Sequence, residues 1–472
     1  MHRIRWIVTA AVLCGSSSLA ATPNSPAIGI DLKGIDHGIR PGDNFFRYAN
    51  GDWLKSATIP ADRSSIGTFY DVFRKAEKDT AEVIRHAGAS QPAGGSDARK
   101  IADYYAAWMD TTAIEQHRLA PLEPELAQIH AIATREDLAR VLGSRLRADV
   151  DPINNTNFHT EHLFGLFVTQ GLEDPSTHVA YLLQGGLAMP SRDYYLSIDP
   201  HMVAFRAKYR VYVTAVLTQA GIAESAAKAK NVVALETRIA KAQESLLDSQ
   251  DVHKANNLWR MSDFPSKAPG LQWAAYFKAA GLDHQQQIDV WQPAAITALA
   301  ALVASEPLQS WKDLLAFHTI DSSANLLPKA LADLHFDFHE HTLLGTPQQQ
   351  PRWKLAVGAT SSDLGDAVGK LYVKKYFPAS SKAQVRQLVQ NLIAAFNDRI
   401  DTLGWMSPAT RARAKQKLAT LKLGVGYPET WRNYASLEVK ADDPLGNHLR
   451  AVKFEYEHQK AKLGQPVDRG EW

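Results

Sequence analysis

At 472 residues, 45% of them apolar and 22% charged, the chain has the makeup of an ordinary globular protein. It is too long for one hydrophobic core, since single cores stop growing at about 250–300 residues. Fifty-two Lys and Arg against fifty Asp and Glu leave a formal charge of +2, too balanced for a phosphate-binding surface, so nucleic acid is set aside as a partner.

The chain opens with Arg3 and Arg5, an apolar centre over 6–13 and a small-residue exit over 16–21, which is the grammar of a secretory signal cut after Ala20. The apolar centre is shorter than the roughly 20 residues needed to span a bilayer, so an uncut anchor is the lesser reading. Lipid attachment at Cys14 is also disfavoured, because Leu13 precedes it where a small residue is wanted. Cys14 is the only cysteine. Loss of residues 1–20 would leave no thiol for disulfides, nucleophilic catalysis or a cysteine zinc site, and the exported protein would be held by packing alone.

Residues 21–30, with Pro23 and Pro26, read as a mobile leader, followed by an aromatic segment over 45–53 and a helix over 69–86. A Gly- and Pro-bearing soft region follows at 88–96. Helical spacing then dominates. Val232, Leu235, Ile239, Gln243 and Leu246 recur at steps of three or four, and Val385, Leu388, Val389, Leu392, Ile393, Phe396 and Ile400 do so more cleanly. Ser381 with Gln384 resembles a capping box for the latter helix. Another helix is expected from Ser407 as cap and Pro408 in its first turn to about Gly424, with Arg411, Arg413, Lys415 and Lys417 on its polar face. Strands are expected at 163–168, 178–184 and 334–338. No internal repeat occurs, and strands are too few for a parallel α/β sheet, so the fold class is mainly α with minor β.

Seventeen histidines make metal chemistry the first possibility to weigh. A helical zinc-peptidase site needs HExxH, because one helical turn then points both imidazoles at one ion. No HExxH is present. His339, Glu340 and His341 form the densest group, but Leu343 stands where a helical motif needs its second histidine, and a solvated turn or strand end is expected there. His159, Glu161 and His162 fall one residue short of the inverted HxxEH order. No G-x-S-x-G elbow or phosphate loop occurs. Gly424 and Gly426 read as a helix stop, Asp442 and Asp443 as an acidic turn before Pro444, and the eleven scattered tryptophans as packing residues.

Several segments then stand in a telling order: RPGDNFFRYANGDWLKSATIPADRSSIGTF at 40–69, GGLAMPSRDYYL at 185–196, FDFHEHTLLGTPQQQPRWK at 336–354, DAVGKLYVKKYFP at 366–378, DTLGWMSPATRARAKQKLATLKLGVGYPETW at 401–431 and KLGQPVDRGEW at 462–472. Together they resemble the neprilysin and endothelin-converting-enzyme family of zinc metallopeptidases, particularly its bacterial exported oligopeptidases. His339, Glu340 and His341 replace a more usual aromatic-glycine-basic trio.

The resemblance implies two mostly helical lobes around a closed cavity that admits short peptides. Residues 1–20 would be the signal and 21–100 the leader and opening segment. Residues 101–333 would form a complete helical cap lobe. Residues 334–472 would supply the return segment and first helices of a thermolysin-like catalytic lobe, left incomplete. The family continues with an Asn-Ala pair, the HExxH helix and a glutamate as third zinc ligand, in which zinc polarises the scissile carbonyl and the HExxH glutamate acts as general base. None of these occurs here, so no catalytic or metal residue is assigned and no zinc is expected to bind these residues alone.

Of the family's substrate-binding arginines, Arg63 and Arg74 are the nearest equivalents, and Arg74 is carried as the candidate. The expected function is the amino-terminal region of an exported zinc metalloendopeptidase, inactive without a carboxy-terminal catalytic segment. The alternative is a noncatalytic periplasmic peptide-binding or scaffold protein. The first reading predicts exposed apolar faces on the helices at 385–403 and 408–421.

Overall fold

The computed structural model describes residues 31–90, 92–154 and 156–471. The proposed signal, Cys14 and the leader at 21–30 lie outside the described residues. Two compact units are distinguished, divided between Ile59 and Pro60. The first is described from residue 31 and is organised by helix α1 (Phe45–Ser56), whose start is fixed by the Asn44 side chain accepting the Arg47 N–H at 2.9 Å. Lys55 ties it locally, donating to Asp36 at 2.7 Å and to Asp52 at 2.8 Å.

The second unit is mainly helical. In chain order, the elements that matter for the argument are α2 (Thr68–Ala89), α3 (Asp97–Met109), α4 (Arg135–Ser144), α5 (Pro200–Gln219), α6 (Ser225–Ala242), α7 (Trp273–Ala280), α8 (Leu308–Ser322) and α9 (Lys329–His335). A π-helical turn (Phe336–Thr342) continues α9. After it come α10 (Arg352–Asp363), α11 (Gly365–Tyr376), α12 (Ala379–Thr402), α13 (Pro408–Ala419) and α14 (Pro444–Ala461).

Four strands, β1 (Phe164–Gln170), β2 (His178–Gln184), β3 (Leu258–Arg260) and β4 (Gln287–Val290), form one sheet in the order β1-β2-β4-β3. β1 and β2 are an antiparallel pair, in register from Phe164 opposite Gln184 to Gln170 opposite His178. β4 joins β2 in parallel and β3 antiparallel.

The core is large and aromatic. Trp291, Trp311, Tyr104, Tyr181, Tyr209, Tyr276, Phe164, Phe264 and Phe317 are among its largest fully buried side chains. Most tryptophans do pack as expected, although Trp405 stands exposed. On α6 the predicted stripe holds: Val232, Leu235 and Ile239 are completely buried, while Leu246 lies beyond the helix end and is exposed.

Close helix contact is set by glycine where α4 meets α7. A Cβ on Gly143 would stand 2.2 Å from the Tyr276 carbonyl oxygen, and a backbone atom cannot swing aside as a side chain can. Gly143→Ala is therefore expected to cost about 1–3 kcal/mol, read as a lower denaturant midpoint at unchanged slope.

The structure departs from the sequence reading at 334–338 and at Ser381. The strand expected at 334–338 is instead the end of α9 and the start of the π-helical turn. The capping box at Ser381 is absent because α12 begins earlier, at Ala379 after Pro378, leaving Ser381 inside its first turn, where its N–H reaches the Pro378 carbonyl at 2.9 Å. By contrast Ser407 caps α13 as read, accepting the Thr410 N–H at 3.1 Å, with Pro408 in the first turn.

Candidate functional site

α8 is buried on every side from Asp313 to Asp321, so the polar side chains of this stretch have no water to turn to and must find partners inside the protein. His318 sits between two acceptors. Its Nδ1 lies 3.1 Å from the Glu161 carbonyl oxygen and its Nε2 lies 2.9 Å from Glu236 Oε1. A carbonyl can only accept, and so can a carboxylate, so both ring nitrogens must donate and the ring is an imidazolium. Burial alone would lower the His318 pKa, but the hydrogen bond and charge of Glu236 raise it above the ordinary histidine value. Glu236, on α6 and wholly buried, also accepts from the Ala188 N–H at 3.1 Å and the Tyr209 hydroxyl at 3.0 Å.

One turn further along α8 lies a second cluster. Asp321, wholly buried, holds His335 Nδ1 at 3.0 Å through Oδ1 and His339 Nε2 at 3.2 Å through Oδ2, and the Tyr212 hydroxyl also donates to Oδ1. The π-helical turn makes this possible: the Leu343 N–H reaches back five residues to the Phe338 carbonyl, and such wide turns occur frequently at functional sites. The His335 and His339 rings lie 4.3 Å apart, with the Phe338 ring stacked on Tyr212 at 4.7 Å. Burial would raise the Asp321 pKa, yet His339 and His335 together hold it below the usual carboxylate range. Glu161 is pushed up to about 7 by burial and then by the charge of Asp321. Among the described residues, Asp321, His335 and His339 are the one group whose ligating atoms all lie within 4.8 Å of one another.

The sequence had singled out His339 with Glu340 and His341, as a solvated turn or strand end. The structure separates them: His341 Nδ1 turns to the Thr346 carbonyl at 3.0 Å, while His339 turns inward. The overlooked signal is that His335 and His339 stand four residues apart, a spacing that shares one helical face. His159, Glu161 and His162 do not converge either. Burial lowers the pKa of both histidines, and His162 reaches only to 4.0 Å from Asp149.

Arg74 lies exposed on α2, in a surface pair with Asp71 at 3.4 Å. Arg63 is better seated. It donates to Glu77 at 3.1 Å, lies over the Phe73 ring at 5.2 Å and lines a cleft of about 430 Å³ that runs from Ser64 to Tyr70. Lys354 completes this cluster, 2.7 Å from Asp62 and 3.9 Å from Glu77.

The apolar stripe read on α12 divides into two. Val389, Ile393 and Ile400 are half-buried, whereas Val385, Leu388, Leu392 and Phe396 are exposed, Leu388 by 58% and Phe396 by 61%. Trp405 and Leu421, at either end of α13, are exposed as well. Exposed apolar side chains on α12 are what the sequence led us to expect, whereas α13 itself exposes no large apolar side chain, its Leu418 being half-buried.

Fold and site define a mainly helical scaffold in which Glu236 is paired with His318, and Asp321 with His335 and His339, in its interior. Residues 41–428 match the amino-terminal model of peptidase family M13, and the chain belongs to that family. It is 25% identical over 467 residues to an endothelin-converting enzyme homolog of Locusta migratoria, covering 93% of this chain and 63% of that one. It is 27% identical over 470 residues to endothelin-converting enzyme-like 1 of Homo sapiens, covering 93% and 58%. Among solved structures, the zinc metalloprotease Zmp1 of Mycobacterium tuberculosis in complex with inhibitor superposes with a TM-score of 0.86 at 34% identity, covering 94% of this chain and 66% of that one. The chain thus spans about three-fifths of the length of these curated relatives.

The family's catalytic zinc does not fit the residues present. The only described metal-capable group, Asp321 with His335 and His339, has Phe336 where HExxH places its glutamate. No general base follows the first histidine, and no hydrolytic step is derived from it. No described helix is long and apolar enough to cross a membrane.

Proposed function

We propose that the chain is the amino-terminal region of an exported zinc metalloendopeptidase of family M13 that acts on short peptides. We further propose that these 472 residues do not hydrolyse peptides by themselves. In this reading residues 101–333 are the cap lobe over an enclosed cavity, residues 334–472 open the catalytic lobe, and 1–20 direct export. Arg74 is the candidate contact for substrate, with Arg63 holding the segment beside it in shape.

The observation that carries the reading is an extended match to a zinc metalloprotease, over 94% of this chain, combined with the absence of any HExxH from the sequence. Zinc-assisted hydrolysis needs an ion that polarises the scissile carbonyl and activates water, and polypeptide other than these residues would have to seat it. The exposed stripe on α12 gives such a piece a surface to cover.

The test is to incubate the purified chain with zinc and a quenched peptide library. The expected result is no cleavage above buffer. Robust cleavage abolished by a chelator would overturn the claim of inactivity, and saturable peptide binding without turnover would favour the noncatalytic alternative.

A further inference from the structure

We propose that Asp321, His335 and His339 form a binding site for one divalent transition-metal ion of the zinc type, separate from the catalytic zinc that the family's chemistry requires and structural in role. The ligand set has the right chemistry. Two imidazoles and a carboxylate suit zinc and its neighbours. His335 offers Nδ1 and His339 offers Nε2, and both already aim at the carboxylate of Asp321.

Distances agree as well. Ligands about 2.0–2.2 Å from a tetrahedral ion stand roughly 3.3–3.5 Å from one another, and the two imidazole-carboxylate separations are 3.0 and 3.2 Å. The two imidazoles reach different oxygens of Asp321, and the ligating atoms of all three residues lie within 4.8 Å of one another, so an ion replaces the protons now shared between these groups once the two rings close on one point.

The surroundings are those of a supported site. Asp321 is wholly buried and its Oδ1 also accepts from the Tyr212 hydroxyl, the kind of outer contact that orients a ligating carboxylate. Phe338 and Tyr212 stand edge-on to the His339 ring at 5.1 and 5.4 Å and hold its plane. The side chains of His335 and His339 keep 19% and 18% of their surface exposed, which leaves a side open to solvent for entry and for a water as fourth ligand. The ion would clamp the end of α8 to the junction of α9 and the π-helical turn.

The test uses the full chain after dialysis against a chelator, titrated with zinc by calorimetry and with cobalt(II) by visible absorption. One ion per chain is expected, with the intense visible bands of tetrahedral cobalt and a rise in Tm. His339→Gln should weaken binding by about tenfold or more, while His341→Gln, beside the site but turned away from it, should leave binding unchanged. Binding in His339→Gln equal to the wild type would overturn the proposal, as would cobalt that stays octahedral. Should His339→Gln not fold, His335→Gln and zinc-edge absorption on the wild type decide. Two imidazoles in the first coordination sphere support the site, and a sphere of water and carboxylate alone refutes it.

Discussion

Replacing Glu236 with alanine is expected to cost about 3–5 kcal/mol of folding stability, the range for removing one partner of a buried ion pair. Three groups lose their acceptor at once: the Ala188 N–H, the Tyr209 hydroxyl and His318 Nε2. The lost pairing leaves a buried imidazolium that must give up its proton or stay uncompensated. Glu236→Gln preserves shape and one acceptor oxygen, so it should cost less; the wild type against Glu236→Gln reads the charge, and Glu236→Gln against Glu236→Ala reads the shape and the acceptor. Urea denaturation at fixed pH reads both.

The same pair predicts a pH dependence with a definite sign. His318 has a folded-state pKa raised above its unfolded value of about 6.5. Its contribution to stability is therefore fully present below about pH 6.5 and is lost as pH rises through the higher folded value. The charged and titratable groups that bear on it are Glu236 from α6, Glu161, His159 and His162 from the segment before β1, and Asp321 from its own helix. Glu236 is the decisive one because it is bonded directly. Because His159, His162 and Glu161 titrate in both proteins, the readout is the stability difference between the wild type and Glu236→Gln, which should shrink from pH 6 to pH 9. A difference that grows over this interval would refute the imidazolium assignment.

Parts of this arrangement could be read from the sequence, and the reasons the rest could not are local. β2 runs over 178–184 as expected, and β1 over 164–170 lies within a residue or two of its reading, because a short apolar run bounded by turn formers reports a buried strand. The segment over 334–338 alternates too, and its burial alternates: Phe336 and Phe338 are buried while Asp337 between them is exposed. A widened helical turn produced the pattern that usually marks a strand, and only tertiary contacts with α5 and α8 decide between them.

For the candidate cluster, the spacing of His335 and His339 was visible, but Asp321 lies fourteen residues upstream on another helix. Glu236 and His318 are separated by eighty-two residues. Neither pairing has a signature in one dimension. The helical period of α12 was legible in full, yet periodicity cannot say which half of an apolar stripe is covered, and here one half is not.

Substituting Leu388, Leu392 and Phe396 together by glutamine is expected to abolish most binding of an environment-sensitive dye by the isolated chain while changing folding stability by less than about 1 kcal/mol. The argument rests on what these side chains touch. They are exposed by 58%, 51% and 61%, so folding gains little from them, and single surface substitutions of this kind ordinarily fall within about 0.5 kcal/mol. At steps of four these side chains share one face of α12 and form a contiguous apolar stripe, the kind of surface that associates. Burying the roughly half of each side chain that stays exposed would release about 1–2 kcal/mol each before the costs of association, a driving force for association through this face.

Light scattering against concentration distinguishes the triple variant from the wild type: the wild type should grow in apparent mass, and the variant should remain a monomer. A loss of 3 kcal/mol or more in the variant would mean that the stripe is already covered in solution, and the surface proposed for a catalytic partner would not exist. A wild type that stays monomeric and silent to dye would lead to the same conclusion from the opposite direction, because the driving force computed from exposure would then be absent.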